Sequence, residues 1–430
     1  MKKVLMFLVA LFAIVTVVGC GGKTTTEGGN TTAAPTQTLK IYQNKVEIDG
    51  ALTDYAQAWG TANNVTVEVV TCGGDSCSYG QQILAEFQSA NQPDIFVIEG
   101  MGGYNQYKDN ILSLAGEDWL DDTDLAFMVD GVPYGFPVAV EGWGMGYNVE
   151  ILEAADVDPA SLTTLAGYQA AFTAIQAYYD ANSLNDYAVV AMAAASGMTW
   201  VTGLHNFNGY LSGGLEYSDS SVIDDLNDGV VNTARLTAYA NWVELLFNYS
   251  DETILLEGTY DTQVAKFASG KAAFIHQGNW IDPNLLSYFN DNGGQFEMGY
   301  APHAAAEGTN DAIFVAAPSY YVINKNSSSI DVAKAFLNDL ASTQAGHEYM
   351  VNEAGMVAAF KSVTLLPEGP LSQAMVEWMN AGKIYAWWQN DMPSDFGMGT
   401  LGPIYTNFAN GNLTKSQFIA AITTEIEALG

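Results

Sequence analysis

LKIYQNKVEIDGALTDYAQAWGTANNVTVEVVTCGGDSCSYGQQILAEFQSANQPDIFVI, residues 39–98, carries the pattern that decides the fold. Leu39 to Tyr42 reads as a short strand, and Leu52 to Ala62 as a helix. Val65 to Val70 alternates, with Val65, Val67 and Val69 set against Thr66, Glu68 and Val70, as a half-buried strand does. Gln81 to Ser89 returns to helical spacing, with Ile83, Leu84 and Phe87 on one face. Pro93-Asp94 then leads into the wholly apolar run Ile95 to Ile98. The order β-α-β-α-β predicts an α/β layer with a largely parallel sheet. Ligands of such sheets bind beyond the carboxyl ends of the strands. Two segments lie there: Gln43 to Glu47, and Glu99 to Gln106.

Upstream, Lys2 and Lys3 precede an apolar run from Val4 to Val18, and Gly19-Cys20 follows. A spanning helix needs about 20 apolar residues, so this run reads as a signal peptide, residues 1–19. The end of the run resembles a lipobox, the cleavage site of bacterial lipoproteins, with the cut before Cys20 and lipid on that residue. An ordinary secretory signal or an anchor helix would account less well for a cysteine at the cut followed by a polar tether. That tether, Gly21 to Thr38, has no large apolar residue and cannot offset the entropy of ordering it, so residues 20–38 read as lipidated cysteine and flexible leash. The expected location is outside the cell, lipid-anchored on the outer or periplasmic side of a membrane.

The rest of the chain is too long for one ordinary core and comfortable for two lobes. Half of it is hydrophobic, as a folded protein requires. A formal charge of −34, with only 14 Lys and Arg, argues against nucleic acid and disfavours a strongly anionic ligand. The same acidity also fits a solvation adaptation to salty surroundings, with no bearing on the ligand. Either way an uncharged ligand is the easier fit. Beyond Cys20 the cysteines are Cys72 and Cys77, separated by turn-forming residues. In an exported chain they read as a disulfide closing a small loop. The alternative, a metal or redox site, lacks a neighbouring His or third Cys, and the spacing is not C-x-x-C.

Downstream, Tyr147 to about Leu256 is mostly helical, including Ser161 to Tyr179 with Leu165, Tyr168, Phe172, Ile175 and Tyr179 in register. Thr259 to Ser269 predicts a helix stopped by Gly270, and a strand follows from Lys271 to His276. Ala312 to Ile323 reads as a strand, Asp331 to Leu340 as a helix, and Thr414 to Gln417 as a capping box. Gly397-Met-Gly399-Thr-Leu-Gly402 fits G-x-G-x-x-G but lacks a preceding strand, and Pro403 follows at once; it reads as a loop. His347-Glu348 opens a zincin pattern that Val351 breaks, so no metal site is expected.

Four stretches in order resemble the family 1 extracellular solute-binding proteins of ABC importers, the group of the maltose and maltodextrin-binding proteins. They are Gln92 to Ile98 with Gly102 to Gln106; Tyr134 to Glu141 with Tyr147-Asn148; Lys266 to Phe274 with Gly278-Asn-Trp280; and Val332 to Leu337 with Glu353 to Val357. They span nearly the whole chain after the leash. The resemblance implies a two-lobed periplasmic-binding-protein-like fold of type II, whose hinge the chain crosses more than once. The crossings would lie near Pro137 to Gly142, near Pro302, and within the helix at Asp331 to Leu337. That gives lobes of 39–139 plus 304–335 and of 140–303 plus 336–430. It implies a monomer that captures a neutral carbohydrate by hinge closure and delivers it to the permease subunits of an importer. No cofactor and no enzymatic activity are expected. A surface-tethered carbohydrate-active enzyme, or a binder of another small solute, is the alternative.

A sugar offers apolar ring faces and hydroxyl edges, so its site needs aromatic platforms plus carboxylates and amides. Nine Trp and 23 Tyr make aromatic content alone uninformative, since most must be core. Position in the resemblance narrows them. Trp280 stands where the family places a stacking aromatic, and Glu141 matches a hinge carboxylate. Trp143 departs from the maltose pattern and offers a further platform. Glu99 follows a strand end in a loop shorter than that of the maltose-binding proteins, and Lys45 lies in the first strand-to-helix loop. Trp200, and Trp387, Trp388 and Phe396, lie where the second lobe supplies aromatics, and one or two of them are expected to face the cleft. His205 and Asn206 are weaker candidates.

Overall fold

A computed structural model describes residues 37–73 and 77–430. The signal peptide, Cys20 and nearly all of the leash lie outside the described residues. The first strand, β1, spans Gln37–Gln43 and already pairs at Gln37 and Thr38 with Val65 and Thr66, so the leash ends two residues earlier than composition suggested. Among the described residues no helix is long and apolar enough to cross a membrane.

Among the described residues, twelve strands form two sheets. In the first, β1 lies between β2 (Val65–Thr71) and β3 (Ile95–Glu99), all parallel. The sheet continues through β11 (Ser319–Ile323) and β5 (Val132–Pro137) to β4 (Phe127–Val129). β11 is antiparallel to both of its neighbours. The sequence explains the order. Ile95 to Ile98 is buried throughout, as a central strand covered on both faces must be. Among the described residues β2 pairs only with β1, and its Thr66 and Glu68 are exposed while Val65 is buried, the alternation of an edge strand.

The second sheet is built on β6 (Glu141–Asn148), which pairs antiparallel with β8 (Ala272–Gly278), β9 (Met298–Ala301) and β10 (Ile313–Ala316). β7 (Ala188–Ala191) flanks β8, and β12 (Ile384–Tyr385) flanks β10. Side chains of a strand alternate between faces. Gly142 and Gly146 present backbone to the helix Pro370–Asn380: a Cβ on Gly142 would run into Met375, and one on Gly146 would touch Leu371. Trp143 and Met145 therefore point to the opposite face. There Trp143 is 1% exposed and packs on Phe314, with centroids 4.1 Å apart.

The strand pairing fixes where the chain passes between sheets. The first passage lies between Pro137 and Glu141. The second is not near Pro302. The stretch expected to be one strand, Ala312 to Ile323, is two: β10 pairs with β6 in the second sheet, and β11 pairs with β3 in the first. The break falls at Ala317-Pro318, where proline has no N–H to donate to a ladder. Nor does the third passage lie inside the helix at 331–337. That helix, Ile330–Ser342, stays with the first sheet, where Trp59 Nε1 donates to Asp339 at 2.7 Å. Lys361 N still donates to Asp122 O at 2.8 Å, whereas Leu371 N and Ser372 N donate to Asp282 at 3.1 and 2.7 Å. The chain passes over between those points, so 335 is too early a boundary.

Local signals behave as their chemistry requires. Thr259 and Thr414 close capping boxes, and Gly270 takes φ +69° after the helix Tyr260–Ala268. Residues 396–402 correct the loop reading. Phe396–Leu401 is a π-helical turn that runs into the helix Gly402–Ala409, and Pro403 sits in that helix's first turn, where its missing N–H costs nothing. Cys72 and Cys77 are joined as a disulfide.

Candidate functional site

The candidate site gathers side chains that follow β1 of the first sheet and flank β6 and β8 of the second. Its first wall is charged. Lys45 follows β1, and its turn is fixed by the buried Gln43, whose amide donates to Lys45 O at 2.9 Å and accepts from Lys45 N at 2.6 Å. Lys45 Nζ pairs with Glu141, the first residue of β6, and lies 3.7 Å from Glu47. All three side chains are largely buried. Burial pulls the Lys45 ammonium down, but Glu141 and Glu47 outweigh it, so its pKa rises above the ordinary lysine range. The Glu47 carboxyl is pushed up by burial, with Lys45 opposing. Glu99 stands at the rim, exposed at the end of β3, and accepts from Asn44 at 2.9 Å.

The second wall is aromatic. Trp280 follows β8 in a short turn, its ring lying over Gly278, where any Cβ would collide with it. Its Nε1 donates to Gln277 at 2.9 Å, Gln277 to Gln263 at 3.0 Å, and Gln263 to the Ala191 and His276 carbonyls. This buried amide relay fixes the ring's direction. A second chain of contacts ties the turn to β6. Asn279 accepts from Gly142 N at 2.9 Å and donates to Ser372 at 3.1 Å. Asp282, fully buried, accepts from Leu371 N and Ser372 N. Burial nevertheless pushes its carboxyl up to about 6.

Four of the tryptophans expected at the ligand converge on His205. Its ring centroid lies 4.9 Å from Trp280, 5.3 Å from Trp200, and 5.6 Å from both Trp143 and Trp387. His205 belongs to a π-helical segment, Trp200–Asn206. There Gly203 lies so close to the Gly397 carbonyl that no side chain would fit between them. Such wide turns occur frequently at functional sites.

Trp388 and Phe396 do not join this cluster. Trp388 donates through Nε1 to the Asp219 carbonyl at 2.8 Å, and Phe396 is 4% exposed in the core of the second lobe. Asn206 is buried beside His205 in sequence, and neither of its amide atoms finds a partner among the described residues.

Behind the cluster lie two imidazoles that sequence reasoning passed over. His276 on β8 and His303 after β9 are each 1% exposed, with centroids 5.5 and 4.8 Å from Trp143. Neither ring finds a hydrogen-bond partner among the described residues, and the same is true of the indole N–H groups of Trp143 and Trp387. Burial holds His276 down to about 4. It also holds His205 and His303 well below the ordinary range, with the neighbouring imidazoles adding to the effect. The signal for His276 was present: AAFIHQG, residues 272–278, is a fully buried strand containing two polar side chains. His303 carries no such mark.

The walls nearly meet. The cavity between Lys45, Glu47, Glu141 and Trp280 is about 20 Å³, room for roughly one water. No group of three or more His, Cys, Asp or Glu with metal-holding geometry occurs among the described residues.

Comparison with known proteins agrees with this architecture. The solved structure of a sugar transporter protein from Bacillus licheniformis, in complex with stachyose, superposes with a TM-score of 0.72 over 91% of this chain and 100% of that one, at 17% identity. The solute-binding protein RafE in complex with raffinose gives 0.71 over 91% and 99%, at 16% identity. The maltooligosaccharide ABC transporter solute-binding lipoprotein of Streptococcus pneumoniae serotype 4 is 24% identical over 287 residues. That match covers 65% of this chain and spans 64% of the relative's length. The family model described as bacterial extracellular solute-binding protein matches residues 54–375. Three quarters of the chain thus fits one family pattern, and the protein belongs to the bacterial extracellular solute-binding proteins.

Proposed function

We propose that this protein captures an uncharged oligosaccharide between its two lobes and delivers it, unmodified, to the membrane subunits of an ABC importer. The observation that carries the reading is the meeting of the two walls: four tryptophans converge on His205, and one of them, Trp280, lines the same cavity as the Lys45, Glu47 and Glu141 cluster. Indole faces suit the apolar faces of sugar rings, and the charged cluster suits hydroxyls. Names of similar proteins support it, since they describe binders of maltooligosaccharide, stachyose and raffinose.

The chain passages at 137–141, at 316–319 and between 362 and 370 serve as the hinge, and the lobes open about them to admit the ligand. Lipid on Cys20 keeps the monomeric receptor beside its permease. Trp280, Glu141, Lys45, Trp143, Trp200 and Trp387 contact the sugar, with Glu99 at the rim.

A thermal-shift screen over mono- and oligosaccharides tests this. A bound sugar at a hundred times its Kd should stabilise the fold by about 2.7 kcal/mol, with no cleavage product formed. A library that shifts nothing would sink the carbohydrate reading, and a cleaved sugar would favour an enzyme.

A further inference from the structure

We propose that His205 is a displaceable plug: its imidazole fills the slot between Trp143, Trp200, Trp280 and Trp387, and one uncharged pyranose ring enters by driving it out. The inference rests on the carbohydrate reading above and adds to it a residue that competes with the ligand.

The first ground is geometric. His205 has four indoles at 4.9 to 5.6 Å from its ring centre, and with Trp143 it is stacked at an interplanar angle of 28°. Those are the separations at which one aromatic ring packs on another. The imidazole therefore occupies the place where a ring would pack against these four indoles. Trp280 is half-buried and lines the cleft cavity, with the half-buried Trp200 beside it, so the slot opens on that side, while Trp143 and Trp387 are 1% and 6% exposed. The cleft cavity of about 20 Å³ is far below the roughly 300 Å³ at which small-molecule pockets begin. Separating the lobes enlarges the cleft, but the slot lies within the second lobe and stays filled until His205 moves.

The second ground is hydrogen bonding. A buried donor without a partner has given up its water for nothing in return, and native proteins hold few. Here the N–H groups of Trp143 and Trp387 are both buried and unpartnered among the described residues, and both rings border His205. A pyranose in the slot brings hydroxyl oxygens that accept from these N–H groups, which the imidazole does not do in this structure. Its flat apolar faces replace the imidazole against the indoles. The segment carrying His205 can yield, because a π-helical turn holds one residue more than an α-helical turn needs, and Gly203 keeps its contact with Gly397 free of side chains.

Replacing His205 with Ala removes the competitor. His205→Ala should bind the same sugar about three- to tenfold tighter by calorimetry, and His205→Phe, a larger apolar plug, about tenfold weaker or worse. If His205→Ala binds more weakly while circular dichroism shows an intact fold, the imidazole is itself a ligand contact and the plug is overturned. Acrylamide quenching of tryptophan gives a readout that needs no sugar. Quenching should rise in His205→Ala over the parent protein, and an unchanged value overturns the plug. A sugar library that binds neither protein would fail the carbohydrate reading, while quenching alone would still decide the plug.

Discussion

The two walls of the cleft are held in opposite ways. The first is a set of charges that satisfy one another: Lys45 answers Glu141 and Glu47, and the buried Gln43 fixes the turn beneath them. The second is held mainly by packing. Trp143, Trp387, His276 and His303 lie ring against ring, and their side-chain nitrogens find no hydrogen-bond partner among the described residues. In a protein of net charge −34, the second wall is the more unusual. A wall built by pairing can come apart and re-form, since each charge can trade its partner for water. A wall built by packing keeps its shape and leaves its polar atoms to be satisfied from outside.

The sharpest way to break this contrast is to empty the packed wall. Trp143→Ala should cost about 3–5 kcal/mol of stability, measured by urea unfolding, because the ring is 1% exposed and touches Phe314, His303 and His276. A loss below about 1 kcal/mol would mean the wall is loose and its shape is not preset.

Acid probes the same wall without a mutation. The folded-state pKa of His276 lies near 4, below the ordinary 6.5, so the unfolded chain takes its proton first as pH falls. Stability is then full above pH 6.5, declines from 6.5 to 4, and by pH 4 has lost about 3 kcal/mol from this residue. His205 and His303 act in the same direction. Asp282 acts oppositely. Its carboxyl is raised to about 6, so its contribution is complete below pH 3.8 and is lost as pH rises through 6. Urea midpoints from pH 7.5 to 4.5 should fall, and His276→Gln should flatten that fall. An unchanged slope in His276→Gln would show that water already reaches the imidazole.

The sequence reading reaches unequal depths in these regions. The first sheet is legible because β3 opens as a continuous apolar run, β1 carries Leu39, Ile41 and Tyr42 close together, and β2 alternates, and burial of that kind writes itself into composition. The passage at Ala317-Pro318 is not, because β10 and β11 have the same apolar character and differ only in their partners. Periodicity cannot name a strand's neighbour. The same limit governs the aromatics. Trp387 and Trp388 are adjacent, yet one joins His205 and the other donates to Asp219. Phe396 was drawn to the site by position alone, and it packs in the core because its turn is helical rather than loop. Lys45 and Glu141 were placed by resemblance, and their pairing across 96 positions has no local trace.

The paired wall yields the smallest effects, and they separate pairing in a cleft from pairing on a surface. Lys45→Met leaves Glu141 and Glu47 facing each other without their cation, in side chains about 9% and 12% exposed. Removing a charged partner there should cost about 2 kcal/mol, and the double variant with Glu141→Gln should recover part of it, because the charge left stranded is the larger part of the cost. Lys361 and Asp124 form the control. They pair at 2.8 Å, as close as a good ion pair requires, but their side chains are 55% and 82% exposed. Lys361→Ala should stay within about 0.5 kcal/mol of the parent, since water already screens both charges. If the two lysines cost the same, the cleft pair is as wet as the surface pair. The first wall would then be a solvated patch rather than a latch between Lys45 and the hinge strand.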